Sequence, residues 1–436
     1  MNNATKMVFA LINLFRLFLL FLIAIFFYPF YKEKLVYWFF YKAGPSFIKL
    51  GQVLSVRADL IGQDLANQLA KFQDQTKPSS HKLIKKILQK HFQNIDDIFL
   101  TFNYQPVASA SIAQVHKAQL KNGSVVAIKI LHPNIRKVFY RDIKTIYFLA
   151  KIVNIFSNFY AKNITDIANL LSEVAKFELN LLQEASNASQ LKENLAGLSG
   201  FYVPKIFWHY CSCEIMVSEW LDAIPFSDKT AIANSNANKI EVAKNLVLSY
   251  FHQVYEDGFF HADMHPGNLF LLKNGNIAVV DFGIMGKINK KTRLIIAKIL
   301  IAFLHKNYLQ VAKLHIEGDF VPTNTNLQDL SLACRQIGEM IVDIDVKSIS
   351  LAKLLSALIE MTKNYQMSAK PELLLLQKTL LLVEGVGVAL NPNLNIWNLA
   401  RPWVKNWAKN NIGFDAKLKD ALLDIFYFIK NKIKEN

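Results

Sequence analysis

Three cysteines (Cys211, Cys213, Cys334) are all that 436 residues contain. They are too few for a disulfide framework, and no pair of C-x-x-C spacings marks a zinc site. A reducing, cytosol-facing environment is the expectation. Arginine is scarce as well: seven of the 50 basic residues, set against 34 acidic ones and a net charge of +16. The positive excess is therefore lysine spread along the chain, not Arg-rich or aromatic-interleaved clusters, and no nucleic-acid partner is expected. Nucleotides or an anionic membrane face remain as anionic partners. Internal repeats and low-complexity tracts are absent. So are a G-x-G-x-x-G that follows a strand and opens a helix, and a two-His-one-carboxylate set, which argues against flavin- or iron-dependent oxygen chemistry.

Apolar residues are plentiful, at 52%. A mean hydropathy of +0.18 is high for a soluble enzyme and low for a polytopic transporter. The longest apolar run, residues 7–31, is broken only by Asn13, Arg16 and Pro29. At a rise of about 1.5 Å per residue it can cross a bilayer, and it can equally lie in the interface with Arg16 snorkelling. Lys6 is the only charge before it and no small-residue cleavage site follows, unlike a secretion signal. Residues 416–436 form a basic amphipathic stretch that suits a capping helix or a membrane surface.

Between these ends, residues 32–100 read as helices. Period-two runs follow over 101–131, the last two joined by Lys121-Asn122-Gly123, a strong hairpin signal. Helix is expected from Pro133 to about 198 and strands near 202–220, with Cys211 and Cys213 as packing residues on one of them. Helix dominates from about 238, interrupted by a hairpin over 268–283 that turns at Asn274-Gly275. A β-rich part before a helical part with an inserted hairpin is the outline of an α+β, bilobal, protein-kinase-like fold. The expected division is 1–40 as an apolar membrane segment, 41–100 as a helical extension, 101–222 and 223–410 as the two lobes, and 411–436 as the basic tail.

Three motifs fall in order on these elements. VVAIKI puts Lys129 on the third strand, in the V-A-I-K form that holds nucleotide phosphates. HADMHPGN sets Asp263 and Asn268 at the offset of H-R-D-x-x-x-x-N, which needs a carboxylate near the attacking group and an amide oxygen for the metal. VVDFG places Asp281 after a strand, with Gly283 read as the residue that permits the sharp turn. Ahead of Lys129, the frame of a glycine-rich phosphate cover reads Ala108-Ser109-Ala110-Ser111-Ile112-Ala113, each glycine replaced by alanine. The added Cβ atoms restrict backbone torsions and should alter nucleotide preference or pose.

With Lys49-Leu50-Gly51-Gln52 (K-x-G-Q), ASASIAQVH, Lys129, ELNLLQEASNA, HADMHPGN, DFG and LLLQKTLLLVEGVGVALNP, residues 40–410 resemble the UbiB-like atypical kinases of ubiquinone biosynthesis, most closely their proteobacterial branch. The resemblance implies that Glu184 pairs with Lys129, and that Glu178 meets Lys49 and docks the K-x-G-Q helix (with Gly51 and Gln52) where other kinases admit a peptide. The two glutamates stand six apart, nearly two turns of helix, and so project toward neighbouring faces. Asn180 stands where the family's E-x-D has Asp, and an amide supplies no negative charge. His261 is read as the structural histidine of the catalytic loop, not as a metal ligand.

The implied function is ATP hydrolysis or phosphoryl transfer, with ATP or ADP and Mg²⁺ as cofactors. Val107, Ala108, Ser109, Ala110, Ser111, Ile112, Ala113, Gln114 and Val115 would cover the nucleotide and Lys129 would hold its phosphates. Asn268 and Asp281 would hold the metal, and Asp263 would be the base. Implied partners are membrane lipid, polyprenylphenol quinone precursors and other ubiquinone-biosynthesis proteins, at the cytoplasmic side of a bacterial inner membrane. Two alternatives are a component of the 2-polyprenylphenol hydroxylation step and a nucleotide-gated scaffold without catalysis.

Overall fold

The computed structural model describes residues 12–19, 35–36, 38–55, 65, 68–69, 77–342, 355–357, 361, 370–396, 398–399, 402–403, 406–407 and 411. Most of the apolar run 7–31 and all of 416–436 lie outside the described residues. In chain order come helices α1 (Pro45–Leu54) and α2 (His81–Phe92), then strands β1 (Phe99–Phe102), β2 (Ala108–Ser109), β3 (Ala113–Leu120) and β4 (Val125–Leu131). Helices α3 (Ile135–Asn154), α4 (Asn158–Glu178) and α5 (Leu181–Asn194) follow, then β5 (Phe201–Tyr202), β6 (Ile215–Glu219) and β7 (Ala223–Pro225). Beyond them are α6 (Lys229–Asn234), α7 (Lys239–Phe251), β8 (Phe259–His261), β9 (Leu269–Leu272), β10 (Ile277–Val279) and β11 (Met285–Lys287). Helices α8 (Lys290–Leu304), α9 (Tyr308–Glu317), α10 (Leu327–Val342) and α11 (Pro371–Leu390) complete the described elements. The chain divides into two compact units: Met1–Lys192 with Val203–Asp222 and Asp281–Gly283, and Glu193–Tyr202 with Ala223–Val280 and Ile284–Asn436.

The first unit is built on an antiparallel sheet of order β1-β3-β4-β6, with β2 also paired to β3. The β3–β4 turn is Asn122-Gly123, where Gly123 takes a φ of 87° and donates its N–H to Leu120 O at 2.9 Å. Strand alternation sorts β4 cleanly. Val126, Ile128 and Ile130 are fully buried in a cluster with Ile84 and Leu88 of α2, while Ala127 and Lys129 are half-buried on the other face. A one-residue slip would drive Lys129 into that core, so the apolar pattern sets the register that aims the lysine.

Two expectations are corrected in this unit. Glu178 and Glu184 do not share one helix, because the chain breaks at Leu179-Asn180. Arg136 Nη2 donates to Leu179 O at 2.6 Å and to Cys213 O at 3.1 Å, and Leu181 N donates to Cys213 O at 3.2 Å, which ends one helix and restarts another. Nor do Cys211 and Cys213 lie on a strand: they occupy the turn before β6, closed by the Ser212 hydroxyl accepting from Glu214 and Ile215 N–H at 3.2 Å. Cys213 is exposed there.

A buried polar node ties the helical extension to α3. Asp142 is fully buried and accepts from Asn13 Nδ2 at 3.0 Å, from Arg141 Nε at 3.0 Å and from the Ser46 hydroxyl. Asn13 Nδ2 also donates to Thr145 Oγ1 at 2.9 Å, and Arg16 Nη2 donates to Ala43 O at 2.9 Å. Residues 12–19 are thus a helical segment that turns its polar side chains inward, leaving Ile12, Phe15, Phe18 and Leu19 exposed.

The second unit holds a four-stranded sheet of order β5-β10-β9-β7, in which β5 and β10 are parallel, and a two-stranded β8–β11 ribbon. The hairpin between β9 and β10 turns at Asn274-Gly275, with Gly275 at a φ of 83°. A π-helical turn over His252–Asp257 ends at Gly258, whose φ is 64° and where a Cβ would stand 2.4 Å from Ile288 O. The segment 262–268 leaves β8 and returns on β9. Among the described residues, α11 is the one helix long and apolar enough to cross a membrane. It is packed nonetheless: Leu373, Leu376, Leu380 and Val383 are buried, and the buried Tyr250 hydroxyl donates to Leu376 O at 2.9 Å.

Candidate active site

Strand β4 carries Lys129 between Val115 of β3 and Met216 of β6. Its ammonium meets Glu184 Oε1 at 2.7 Å and Oε2 at 2.9 Å, and Asp281 Oδ1 at 2.9 Å. Burial disfavours the charged lysine, but the Asp281 and Glu184 carboxylates outweigh it and hold Lys129 above its ordinary pKa. Glu184 responds the opposite way. Burial, only partly offset by Lys129 and reinforced by Asp281 and Glu178, pushes its pKa up to about 7. One ammonium serves two carboxylates, and the negative charge left over weighs on Glu184, 6% exposed, while Asp281 reaches solvent.

Asp281 itself adopts a left-handed backbone, with φ 65°. The expectation that Gly283 would supply the turn's special conformation is corrected: Gly283 has no positive φ, and the torsion falls on the aspartate. The adjoining carbonyl, Phe282 O, accepts from Asn187 Nδ2 of α5 at 2.9 Å. Helix α5 therefore grips both the lysine and the D-F-G turn. A Cβ built on Gly283 would lie 3.5 Å from Asp281 Oδ1 and 3.9 Å from Glu178 Oε2, so the glycine leaves room between two carboxylates. Glu178 Oε2 in turn pairs with Lys49 Nζ at 3.3 Å, both side chains largely buried. Gly51 is buried on α1 beside Lys49, and Gln52 is half-buried. Asn180 Oδ1 is buried without a hydrogen-bond partner among the described residues.

The alanine-rich segment is a tight hairpin. Val107 N donates to Val115 O, Ala110 N donates to Ala113 O, both at 2.8 Å, and Ala108 and Ser109 pair with Val115 and Gln114. Val107 and Ala108 are exposed, whereas Ser111, Ile112, Ala113 and Gln114 are buried. Gln114 cannot turn its side chain outward: Oε1 accepts from Ser79 N at 2.7 Å and Nε2 lies 2.8 Å from His116 Nε2. His132 braces the loop from the other side, with one ring nitrogen 2.8 Å from Ala110 O and the other 2.9 Å from Ser79 Oγ. Ser109 Oγ is a buried hydroxyl with no partner among the described residues.

In the second unit, His261 is fully buried at the end of β8. Its Nδ1 accepts from Asp263 N at 3.2 Å and its Nε2 lies 3.2 Å from Val280 O, which together require the Nε2–H tautomer. Both ring nitrogens serve the backbone, so His261 shapes the loop. Asn268, also buried, donates Nδ2 to Asp263 O at 3.0 Å, which leaves Oδ1 as the acceptor of its side chain. Val280 N donates to Asn268 O at 2.9 Å, which pins the loop to β10. The Asp263 carboxylate meets Lys378 Nζ of α11 at 2.9 Å through Oδ1, and lies 3.7 Å from His265 Nε2 through Oδ2. Among the described residues no cluster of three or more His, Cys, Asp or Glu could hold a metal. Asn268 in the second unit and Asp281 in the first each carry a side-chain oxygen, a hard donor type.

Lys378, His132 and Asn13 were not singled out from the sequence as site or anchoring residues, and Gln114, expected over the nucleotide, has its side chain held by Ser79 N and His116. For Lys378 a signal existed: it is the only charge within residues 373–383, LLLLQKTLLLV.

Residues 71–315 match the ABC1 atypical kinase-like domain and residues 334–395 the UbiB helical domain. The chain is 35% identical over 381 residues to the "Probable protein kinase UbiB" of Pseudomonas fluorescens (strain Pf0-1), covering 86% of this chain and 71% of that protein. Among solved structures, Rv3197 of Mycobacterium tuberculosis, determined as a complex with erythromycin, superposes with a TM-score of 0.56 at 21% identity. That match covers 80% of this chain and 90% of the other, and it shows the fold.

Proposed function

Because the chain belongs to the ABC1 atypical kinase-like family, we propose that it is an ATP-dependent enzyme of ubiquinone biosynthesis, hydrolysing ATP or transferring its terminal phosphoryl group on behalf of polyprenylphenol precursors at a membrane. The Lys129 cluster carries this reading. A largely buried ammonium held charged by Glu184 and Asp281 is suited to phosphate oxygens. The hairpin around Ala108 to Val115 would cover the nucleotide through backbone N–H groups, and the orphaned Ser109 hydroxyl would find its partner in a phosphate oxygen. Asn268 Oδ1 and Asp281 each offer an oxygen to Mg²⁺, which would neutralise phosphate charge.

Asp263 serves as the base on this reading. As a water or hydroxyl oxygen bonds to the γ-phosphorus, the bond to the bridging oxygen of ADP breaks with its electron pair, and the released proton goes to the Asp263 carboxylate. The support for a membrane setting is the segment 12–19, whose polar residues point inward and whose Phe15 and Phe18 point out. A cytoplasmic-face location, lipid and other pathway enzymes as partners belong to the same proposal.

The test is Mg²⁺-dependent ATP turnover by the full chain in lipid vesicles, with and without a polyprenylated phenol. Turnover should rise with the phenol and fall on the order of 100-fold or more in Asp281→Asn. Nucleotide binding without turnover would replace the enzyme by a nucleotide-gated scaffold; absence of both would remove the kinase-like activity altogether.

A further inference from the structure

The loop Ala262 to Asn268 contains neither lysine nor arginine. A carboxylate that must work beside the anionic phosphates of a nucleotide has no cation of its own there. Yet Asp263 has one within reach, supplied from 115 residues away: Lys378 Nζ stands 2.9 Å from Asp263 Oδ1. We propose that Lys378 is the positioning residue of Asp263, a role that rests on the reading of Asp263 as the base.

Three observations bear on it. First, the geometry divides the two carboxylate oxygens. Lys378 takes Oδ1, while Oδ2 lies 3.7 Å from His265 Nε2, too far for a hydrogen bond. Lys378 engages one oxygen and the other is left to take a proton. Second, the lysine is itself anchored. Helix α11 is fixed by its buried leucines and by the Tyr250 hydroxyl on Leu376 O, two residues before Lys378. Third, stability does not account for the residue. The pair is partly exposed, at 32% and 23%, and such ion pairs contribute little, while a charge inside LLLLQKTLLLV interrupts an otherwise apolar face. What the ammonium does supply is compensation of the Asp263 charge where an anionic phosphoryl group must approach. The helical segment matched over 334–395 thereby contributes a charge to the catalytic loop of the kinase-like domain.

The experiment compares the full-length wild type with Lys378→Met, Lys378→Arg, Asp263→Asn and the Asp263→Asn/Lys378→Met double variant. It measures Mg²⁺-dependent ATP turnover in vesicles, nucleotide affinity by a fluorescent ATP analogue, and thermal unfolding. Lys378→Met should lower kcat about 10–100-fold with nucleotide Kd changed less than about twofold. Lys378→Arg should recover most of the loss, and the double variant should be no slower than Asp263→Asn alone, because groups acting as a unit are not additive. Wild-type kcat in Lys378→Met, alongside a disabled Asp263→Asn, overturns the inference and leaves the base reading standing. Full turnover in Asp263→Asn overturns the base reading and the inference with it. Should Lys378→Met unfold, the Arg variant decides: a kcat loss there as large as in Asp263→Asn, with unfolding temperature unchanged, refutes positioning by charge.

Discussion

At the residue scale, the first unit concentrates its electrostatics on a single lysine. Lys129 meets Glu184 and Asp281, and Glu178 lies close enough to bear on Glu184 while itself pairing with Lys49. Glu184 carries the consequence. Its pKa rises from 4.5 to about 7, so between those pH values the folded protein holds a proton that the unfolded chain has released. Stability therefore falls as pH rises through this window, by roughly 3 kcal/mol in all. Glu184→Gln keeps a hydrogen-bond acceptor for Lys129 and removes the titration. Urea unfolding at pH 5.5 and pH 8 should show the variant about 2 kcal/mol less pH-sensitive than wild type; equal slopes would mean that Glu184 stays ionised throughout. V-A-I-K and D-F-G could be read from the chain, but that Asp281 and not Gly283 takes the left-handed torsion could not. The torsion depends on Asn187 holding Phe282 O and on Lys129 drawing the carboxylate.

At the element scale, the N-terminal segment inverts the usual amphipathic rule. Asn13 and Arg16, the polar breaks in an apolar run, face the protein, where Asp142, Thr145 and Ala43 O receive them, and the phenylalanines face out. The inward polar face is held by the acceptors of Asn13 Nδ2 and Arg16 Nη2, and an outward apolar face is favourable where it meets hydrocarbon. Flotation with anionic phospholipid vesicles should recover the wild type. Replacing Phe15, Phe18 and Leu19 by serine should cut recovery at least tenfold, given roughly 1.5–3 kcal/mol per buried side chain; undiminished recovery would place the membrane contact elsewhere. The run's length and apolarity were visible in the sequence. Its orientation was not, because Asp142 lies 129 residues from Asn13. The helix break at Leu179-Asn180 escaped for the same reason, since Arg136 and Cys213 are distant in the chain.

At the scale of the whole molecule, three residues of the D-F-G turn belong to the unit that holds Lys129, although the sequence on both sides belongs to the other. A ligand that engages this turn stabilises the first unit by mass action. Mg²⁺-ATP at 100 times its Kd should add about 2.7 kcal/mol, a rise of roughly 5–10 °C in the unfolding temperature. Lys129→Met should abolish the shift, as read by differential scanning calorimetry. A rise of the same size in the variant would place nucleotide binding away from Lys129.

The sequence by itself determined the kinase-like α+β fold, both Asn-Gly hairpins and the positions of Lys129, Asp263, Asn268 and Asp281, because these rest on period-two alternation, turn chemistry and fixed motif spacing. Only the tertiary structure decided what those groups touch. The Lys378–Asp263 pair, the Gln114–His116 brace and the Asn13–Asp142 node each join side chains through space, where local periodicity carries no information and burial and hydrogen-bond satisfaction choose the partner.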